Sequence, residues 1–255
     1  MRIGADTPAV ITGGASGLGV AVAKALRSQD VPVGILDMNA DAGQTFAAET
    51  GAIFAQCDIS DASAVSAALD ALRARQGQER ICVNCAGIAP AAKTVSRGAA
   101  HDPALYAKTV GVNLIGTFNV ATQSALGMSE ADPLNDDGER GVIINTASIA
   151  AYEGQMGQLA YASSKAGVVG LTLPMARDLA KTGIRVVAIA PGIFATPMVT
   201  GFPQEVQDAL ARTSEFPQRL GRVEEFADLA LHIARNVMLN GEVIRLDAAT
   251  RMQAK

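Results

Sequence analysis

Tyr161 and Lys165 stand four residues apart, and Tyr161 follows Ser148 by thirteen residues. On a helix, a spacing of four puts both side chains on one face, with Cβ atoms roughly 5–6 Å apart. An ammonium beside a phenol lowers the phenol's pKa from about 10, which gives a proton donor and acceptor usable near neutral pH. Ser148 follows a β-branched run, and its hydroxyl could orient a substrate oxygen. A Tyr-x-x-x-Lys pair is common on helix surfaces, so this interpretation requires a nucleotide site upstream.

A glycine-rich turn near the N-terminus could provide that site. Residues 8–12 form a short apolar run, the turn reads G-G-A-S-G-L-G, and a helical pattern begins at Val20. A strand, a glycine turn and a helix start can place a pyrophosphate on free N–H groups at the helix N-terminus. The strict G-x-G-x-x-G fingerprint is not met, since Val22 takes the place of its third glycine. Glycine turns without a ligand are also frequent. The predicted cofactor contacts in the turn are Gly13, Ser16, Gly17, Leu18 and Gly19.

The next apolar run, at 31–36, ends in Asp37, eighteen residues after Gly19. A carboxylate at this position can accept hydrogen bonds from ribose hydroxyls and would repel a 2′-phosphate. Position 16 is Ser rather than Lys or Arg, so no cation in the turn offsets that repulsion. The pattern favours NAD over NADP. The alternative is that Asp37 is an ordinary turn residue at the end of a strand.

Composition limits the classes of function. The chain has 255 residues, 49% of them apolar, a net charge of −4 and no Trp. This suits one large α/β domain spanning 1–255 and lacks the basic or aromatic surface expected for nucleic acid or an anionic membrane. No apolar run is long enough to span a bilayer, and the N-terminus lacks the features of a secretory signal. We expect a cytoplasmic protein, or a mitochondrial matrix protein if a presequence has been removed.

The cysteines do not predict redox or metal chemistry. Cys82 and Cys85 form a C-x-x-C motif, but it lies in an apolar run, and residues three apart on a strand point to opposite faces. A zinc site would need further ligands, and Cys57, His101 and His232 are widely scattered. We expect buried structural thiols and no metal.

Apolar runs of strand length alternate with helical patterns along the chain, which predicts a doubly wound parallel sheet of about seven strands with helices on both faces. Stretches 89–102 and 129–140 read as surface loops, and the second, acidic one as solvated. The helix that carries Tyr161 is small or apolar nearly all round, which favours burial or a partner subunit. Strands are predicted near 9–12, 31–36, 53–56, 81–84, 142–147, 184–190 and 243–246. Helices are predicted near 17–28, 62–76, 104–127, 158–181, 204–211 and 224–236.

Together these motifs resemble the short-chain dehydrogenase/reductase family over nearly the whole chain. The segment 84–87 reads N-C-A-G where that family has N-N-A-G, and Asn113 matches its helix asparagine. The resemblance implies a Rossmann fold, an NAD cofactor and a catalytic set of Asn113, Ser148, Tyr161 and Lys165. The further cofactor contacts that it implies are Asp58, Ile59, Asn84, Ala86, Gly87, Tyr161, Lys165, Pro191, Gly192 and Thr196.

The resemblance also implies residue roles. Tyr161 would exchange the substrate proton, Lys165 would lower the pKa of Tyr161 and hold a ribose hydroxyl, and Ser148 would bind the substrate oxygen. Asn113 would hold a water that links Lys165 to solvent, and Gln155 would contact the substrate. The alternatives are that Ser148 only caps a turn and that Asn113 is only a buried helix residue.

Segments 141–148, 153–155, 173–179 and 240–247 are similar to a subgroup of the family that acts on 3-hydroxyacyl-CoA, whose members are often homotetramers. Relatives tend to carry Gly where this chain has Ala248 and Ala249. An apolar lid around 193–220, including Phe202 and Phe216, would cover an acyl chain or a steroid. Lys93, Arg97 and Arg212 could meet CoA phosphates, or could be solvated surface charges. The remaining alternatives are a hydroxysteroid or other alcohol dehydrogenase, a 3-oxoacyl carrier-protein reductase and, in a different class, a dinucleotide-binding scaffold.

Overall fold

The structure, a computed structural model, describes residues 1–254. The strands are β1 Ala9–Thr12, β2 Val33–Asp37, β3 Ile53–Gln56, β4 Ile81–Asn84, β5 Val95–Ser96, β6 Ala99–Ala100, β7 Gly141–Thr146, β8 Ile184–Pro191 and β9 Val243–Leu246. Seven parallel strands form one sheet in the order β3-β2-β1-β4-β7-β8-β9, and β5 and β6 form a separate antiparallel hairpin. The parallel α/β fold is the one that the sequence predicts.

Helices cover both faces of the sheet. The α-helices are α1 Gly17–Arg27, α2 Ala40–Thr50, α3 Ala62–Gln76, α4 Pro103–Val110, α5 Thr117–Glu130, α6 Leu159–Asp178, α7 Pro197–Thr200, α8 Gln204–Ala211 and α9 Val223–Arg235. A π-helix, Gly111–Gly116, joins α4 to α5, and short 3₁₀ turns lie at Ile149–Ala151 and Ala180–Thr182.

Alternation along the strands produces two apolar layers. Ile11, Ile35 and Ile144 point to one face, where they pack with residues of α1 and α9 such as Leu26 and Phe226. Their chain neighbours pack on the opposite face with residues of α3 and α5. Because both faces are covered, the central strands read as continuous apolar runs.

The strand order reverses between β1 and β4. In open α/β sheets a crevice opens at such a point, outside the carboxyl ends of the strands. The glycine turn follows β1, the segment 84–87 begins at the last residue of β4, and Ser148 follows β7. The topology therefore brings the predicted nucleotide and catalytic residues to one edge of the sheet.

Helix α2 is absent from the sequence prediction. It has two buried residues, Gly43 and Phe46, so its apolar pattern is weak. Its ends are nevertheless well defined. The Asn39 side chain accepts a hydrogen bond from the Ala42 N–H, and Gly51 adopts a left-handed conformation with φ 71°. Capping residues therefore define this helix better than periodicity does.

The prediction that the acidic stretch 129–140 is simply solvated is wrong at Glu139. Its side chain is buried, and one carboxylate oxygen lies 2.9 Å from the Arg185 guanidinium. Arg185 also donates hydrogen bonds to carbonyl groups at and beyond the end of α9, including that of Ile233 at 2.9 Å. Each charge compensates the other, and removal of either partner would leave an unpaired charge in the interior at a high cost in free energy. The loop is thus anchored to β8 and α9.

Within residues 1–254, no helix is both long and apolar enough to cross a membrane, and no group of three or more His, Cys, Asp or Glu is placed to hold a metal ion. Cys57, Cys82 and Cys85 are free thiols. Burial raises the pKa of Cys82 to about 12 and that of Cys85 to about 11, so neither is a thiolate at neutral pH.

Candidate active site

Ser148, Tyr161 and Lys165 meet where β7 ends and α6 begins. Ser148 precedes the 3₁₀ turn Ile149–Ala151, and its Oγ accepts a hydrogen bond of 3.1 Å from the Ala150 N–H. Tyr161 is in the first turn of α6 and Lys165 is one turn later, with Nζ 5.9 Å from the centre of the Tyr161 ring. Ser148 therefore does cap this turn, and the same hydroxyl also lies within hydrogen-bonding distance of Tyr161.

Lys165 is a buried cation. Its side chain is almost fully enclosed, and Nζ donates a 2.7 Å hydrogen bond to the carbonyl oxygen of Thr146. Burial disfavours the charged form and lowers the pKa of Lys165 from 10.5 to about 8. The ammonium is therefore still the main form at pH 7, but it titrates much closer to neutrality than a surface lysine.

The expected lowering of the Tyr161 pKa by Lys165 is wrong for the protein alone. Burial raises the pKa of Tyr161, and the opposing influence is hydrogen bonding with Ser148. Nζ of Lys165 instead binds the Thr146 carbonyl. Desolvation of the phenol therefore outweighs the hydrogen bond with Ser148, and Ser148 is the residue that favours the phenolate.

Asn113 lies in the π-helix and is fully buried. Its Oδ1 accepts a 2.8 Å hydrogen bond from the Ile88 N–H, and its Nδ2 donates to the Ile88 carbonyl and to Ser164 Oγ. The side chain thus fastens the segment after β4 to α6. π-helical turns are frequent at functional sites. The water-holding role of Asn113 stays a prediction.

The glycine turn leaves no room for side chains. Gly13 has φ 64°, and a Cβ atom there would lie 2.8 Å from the Ala86 nitrogen. A Cβ on Gly19 would collide with the carbonyl oxygen of Gly13. Helix α1 begins without a side-chain cap in the described structure, since Ser16 makes no capping hydrogen bond. Such a turn leaves the first N–H groups of the helix available to a phosphate, so the residues fit a dinucleotide.

Asp37 lies beside this turn, at the end of β2. Its carboxylate accepts hydrogen bonds of 3.0 Å from the N–H groups of Ala15 and Asn39. One oxygen therefore fixes the conformation of the glycine turn. The same position, half-buried at the rim of the crevice, keeps a negative charge where the sequence predicts the adenosine ribose.

The segment after β4 connects the nucleotide end to the catalytic end. Thr12 Oγ1 accepts hydrogen bonds of 3.1 Å from the N–H groups of Cys85 and Ala86. A Cβ on Gly87 would lie 3.2 Å from Asn113 Oδ1 and 3.6 Å from Lys165 Nζ. The segment after β4 therefore lies against the catalytic set, and the hydrogen bond from the Ile88 N–H to Asn113 Oδ1 joins them.

The other predicted cofactor residues lie around the same crevice. Asn84 is buried and donates to Asn145 Oδ1 across the sheet. A Cβ on Gly17 would lie 3.4 Å from the Thr196 side chain, so the start of the lid reaches the glycine turn. Gly192 directly follows Pro191, the last residue of β8, and its N–H donates to the Leu246 carbonyl.

The loop after β3 contributes two more predicted cofactor residues. The Asp58 carboxylate accepts hydrogen bonds from the N–H and hydroxyl groups of Ser60. The Ile59 carbonyl accepts from Asn119 Nδ2 on α5, and the Ile59 side chain is buried. These contacts hold the loop in place, and the predicted adenine contacts stay predictions.

The lid follows β8 and is only partly as predicted. Phe194 does not face the crevice but packs edge-on against Phe226 of α9, with ring centres 6.4 Å apart. Met198, Phe202 and Val206 are exposed on α7, α8 and the link between them, which leaves apolar surface for a substrate. Among the described residues, the lid thus combines one anchored aromatic side chain with an open apolar surface.

Comparison with known proteins decides the family. The short chain dehydrogenase family model matches residues 7–207. The chain belongs to this family. It is an oxidoreductase, and members of the family generally use nicotinamide cofactors.

Relatives and a solved structure cover nearly the whole chain. A Bos taurus protein named 3-hydroxyacyl-CoA dehydrogenase type-2 is 50% identical over 96% of this chain and 95% of its own length. A Drosophila melanogaster protein of the same name is 47% identical over 95% and 96%. The crystal structure of 3-hydroxyacyl-CoA dehydrogenase type-2 from Mycobacterium avium has a TM-score of 0.93 and 42% identity, covering 98% of this chain and 97% of that one.

Proposed function

We propose that the protein is an NAD-dependent dehydrogenase that interconverts 3-hydroxyacyl-CoA and 3-oxoacyl-CoA. The observation that carries this proposal is the closeness of the nucleotide crevice to the catalytic set: Ile88 hydrogen-bonds Asn113, and a Cβ on the adjacent Gly87 would lie 3.6 Å from Lys165 Nζ. Relatives near 50% identity that are named for this reaction support the substrate class.

The residues of this chain divide the chemistry between them. A bound nicotinamide would accept or supply the hydride. Tyr161 takes the hydroxyl proton in the oxidative direction and returns it to the ketone oxygen in reduction. In the protein alone the Ser148 hydroxyl favours the ionised form of Tyr161. When substrate binds, the single proton of this hydroxyl is donated to the substrate oxygen instead. Lys165, held by the Thr146 carbonyl, keeps a positive charge beneath the reacting groups.

The preference for NAD follows from Asp37. Asp37→Asn keeps an oxygen that can accept from Ala15 but removes the charge that repels a 2′-phosphate. We expect the ratio of kcat/KM for NADH to that for NADPH to fall about tenfold or more, since each 1.4 kcal/mol of lost repulsion is a factor of ten. Asp41→Asn, which removes an exposed carboxylate in the first turn of α2, is the matched control and should leave the ratio unchanged. An unchanged ratio in Asp37→Asn would refute this role.

An open surface cavity of about 440 Å³ has room for the CoA part of a substrate. It lies between the hairpin of β5 and β6 and the loop 152–158, and Lys93, His101 and Asp102 are among its lining residues. Lys93 and Arg97 are exposed at this side, where cations can meet phosphates. Arg212 is exposed as well, beyond the end of α8.

A comparison of kcat/KM among candidate substrates tests the proposal. We expect NAD⁺ reduction with 3-hydroxybutyryl-CoA to show a kcat/KM at least about 100-fold above that with the free acid, because binding of the remote CoA moiety is used at the reacting centre. A hydroxysteroid and a 3-hydroxyacyl carrier-protein thioester serve as comparisons. Better turnover of either would replace the acyl-CoA assignment with that alternative.

We also propose that the protein is a homotetramer. Ile115, Phe118 and Leu126 form an exposed apolar stripe on the π-helix and α5, and Leu173 is exposed on α6. An apolar surface of this kind is typical of protein interfaces. Sedimentation equilibrium tests the proposal, and a monomer mass at micromolar concentration would contradict it.

A further inference from the structure

The loop 152–158 lies along the chain between Ser148 and Tyr161, after the 3₁₀ turn and before α6. It also carries Gln155, the predicted substrate contact, and borders the cavity described above. Within the loop, the Gln155 N–H donates to Gln158 Oε1 and the Gln158 N–H donates back to the Gln155 carbonyl. A displacement of this loop would therefore change the substrate side of the site before the nucleotide side.

The C-terminal segment 247–254 packs directly against this loop. The Met156 N–H donates a 3.0 Å hydrogen bond to the Ala254 carbonyl. The side-chain Nε2 of Gln155 donates a 3.1 Å hydrogen bond to the backbone carbonyl of Gln253. The orientation of Gln155 thus depends on a segment nearly one hundred residues away in sequence.

A cluster of charges fixes this segment in place. Arg245, on β9, lies 2.9 Å from the Glu153 carboxylate and 2.7 Å from that of Asp247, and its guanidinium stacks 5.5 Å from the centre of the Tyr152 ring. Glu153 also accepts a hydrogen bond from the Met252 N–H. Hydrogen bonding from Arg245 is the main cause that lowers the pKa of Glu153. Arg245 and Glu153 are both partly buried and joined by two hydrogen bonds, which fixes their mutual orientation.

The same segment holds the end of the lid. After Asp247 the chain turns through Ala248 and Ala249, whose φ angles are 50° and 60°. Non-glycine residues in this region cost free energy and persist where the surroundings fix them. The Ala248 carbonyl accepts a 3.0 Å hydrogen bond from the Glu215 N–H, and Thr250 and Ser214 hydroxyls lie 3.5 Å apart.

We propose that Arg245 and Glu153 are positioning residues for the acyl-CoA side of the site. Through the C-terminal segment 247–254, they hold the Gln155 loop and the end of the lid in one arrangement. The inference rests on the proposed function for the identity of the substrate. Arg245 pairs with Ala190 along the sheet, beside Pro191 and Gly192, whereas the glycine turn follows β1 on the far side of β4, β7 and β8. We therefore expect the pyrophosphate end of the cofactor to bind independently of the pair.

Arg245→Met tests the proposal because it keeps the length of the side chain and removes the charge. We expect KM for acetoacetyl-CoA to rise about tenfold or more, since small displacements of positioning groups have large kinetic effects. The kcat should fall less than about threefold and the NADH dissociation constant should stay within about twofold. Glu153→Gln should raise KM by a smaller factor, because the side-chain oxygen of Gln can still accept the hydrogen bond from the Met252 N–H.

The control is Arg73→Met, which breaks another partly buried pair, with Glu79, remote from the site. It should lower stability without changing KM. A KM change of equal size in Arg73→Met, or no KM change in Arg245→Met and Glu153→Gln, would overturn the proposal.

Hydrogen exchange separates this inference from the proposed function. In Arg245→Met, the Met156 and Met252 amides should exchange faster than in the unmodified protein or in Arg73→Met. This readout needs no substrate, so it stands if acetoacetyl-CoA is not turned over at all. Unchanged exchange at both amides would refute the positioning role even in an active acyl-CoA dehydrogenase.

Discussion

Tyr161→Phe is expected to reduce kcat by about 10³-fold in both directions of the reaction, within the range of about 10²–10⁴ typical of general acid–base groups. The substitution removes the one hydroxyl that exchanges the substrate proton and leaves the ring in place. Binding of NADH should weaken by about tenfold at most, the effect of one lost hydrogen bond, because Phe fills the same half-buried position on α6. Steady-state kinetics and a fluorescence titration with NADH check the two parts of this result.

Tyr106→Phe is the matched control for this substitution. Tyr106 is exposed on α4, and its hydroxyl serves no proposed step. It should retain the unmodified kcat. If Tyr161→Phe kept more than a tenth of the rate with acyl-CoA substrates, the proton would have to come from another group, and the scaffold alternative would gain support.

Lys165→Met is expected to lose at least about 10²-fold in kcat and to change how stability depends on pH. The pKa of Lys165 is about 8 in the folded protein and 10.5 for the ordinary group, because burial disfavours the ammonium. Between these values the unfolded chain binds more protons than the folded one, so stability rises with pH. The unmodified protein should therefore gain about 2–3 kcal/mol relative to Lys165→Met between pH 8 and pH 10.5.

Urea unfolding of both proteins at pH 7.5, 9 and 10.5 measures that difference. Other groups titrate over this range, but they do so in both proteins and cancel in the comparison. A difference independent of pH would mean that Lys165 titrates normally and is not held in a desolvated site.

The sheet and much of the site were predictable from the sequence because they depend on local patterns. The run at 9–12, the glycines after it and Asp37 each follow from the rule that buried parallel strands end at a shared edge. The structure brings Gly13, Asn84 and Ser148 to that edge, and the hydrogen bond from the Ile88 N–H to Asn113 Oδ1 joins the two predicted sets.

What the sequence did not predict depends on contacts between distant residues. The Thr146 carbonyl holds Lys165, but a backbone acceptor leaves no trace in residue types. Burial of Glu139 and pairing of Arg245 with Glu153 require the complete fold, since each partner is polar and ordinary in its own segment. The sign of the Tyr161 pKa shift was wrong for the same reason, because desolvation reflects the whole environment of the phenol.

The most direct test of the central claim is NADH oxidation by the purified protein with acetoacetyl-CoA, measured beside NADPH. We expect rapid turnover with NADH and a kcat/KM for NADPH lower by about 100-fold or more, since Asp37 repels the 2′-phosphate. Tight NADH binding without turnover of acetoacetyl-CoA would contradict the acyl-CoA assignment. Equal rates with both cofactors would contradict the role of Asp37.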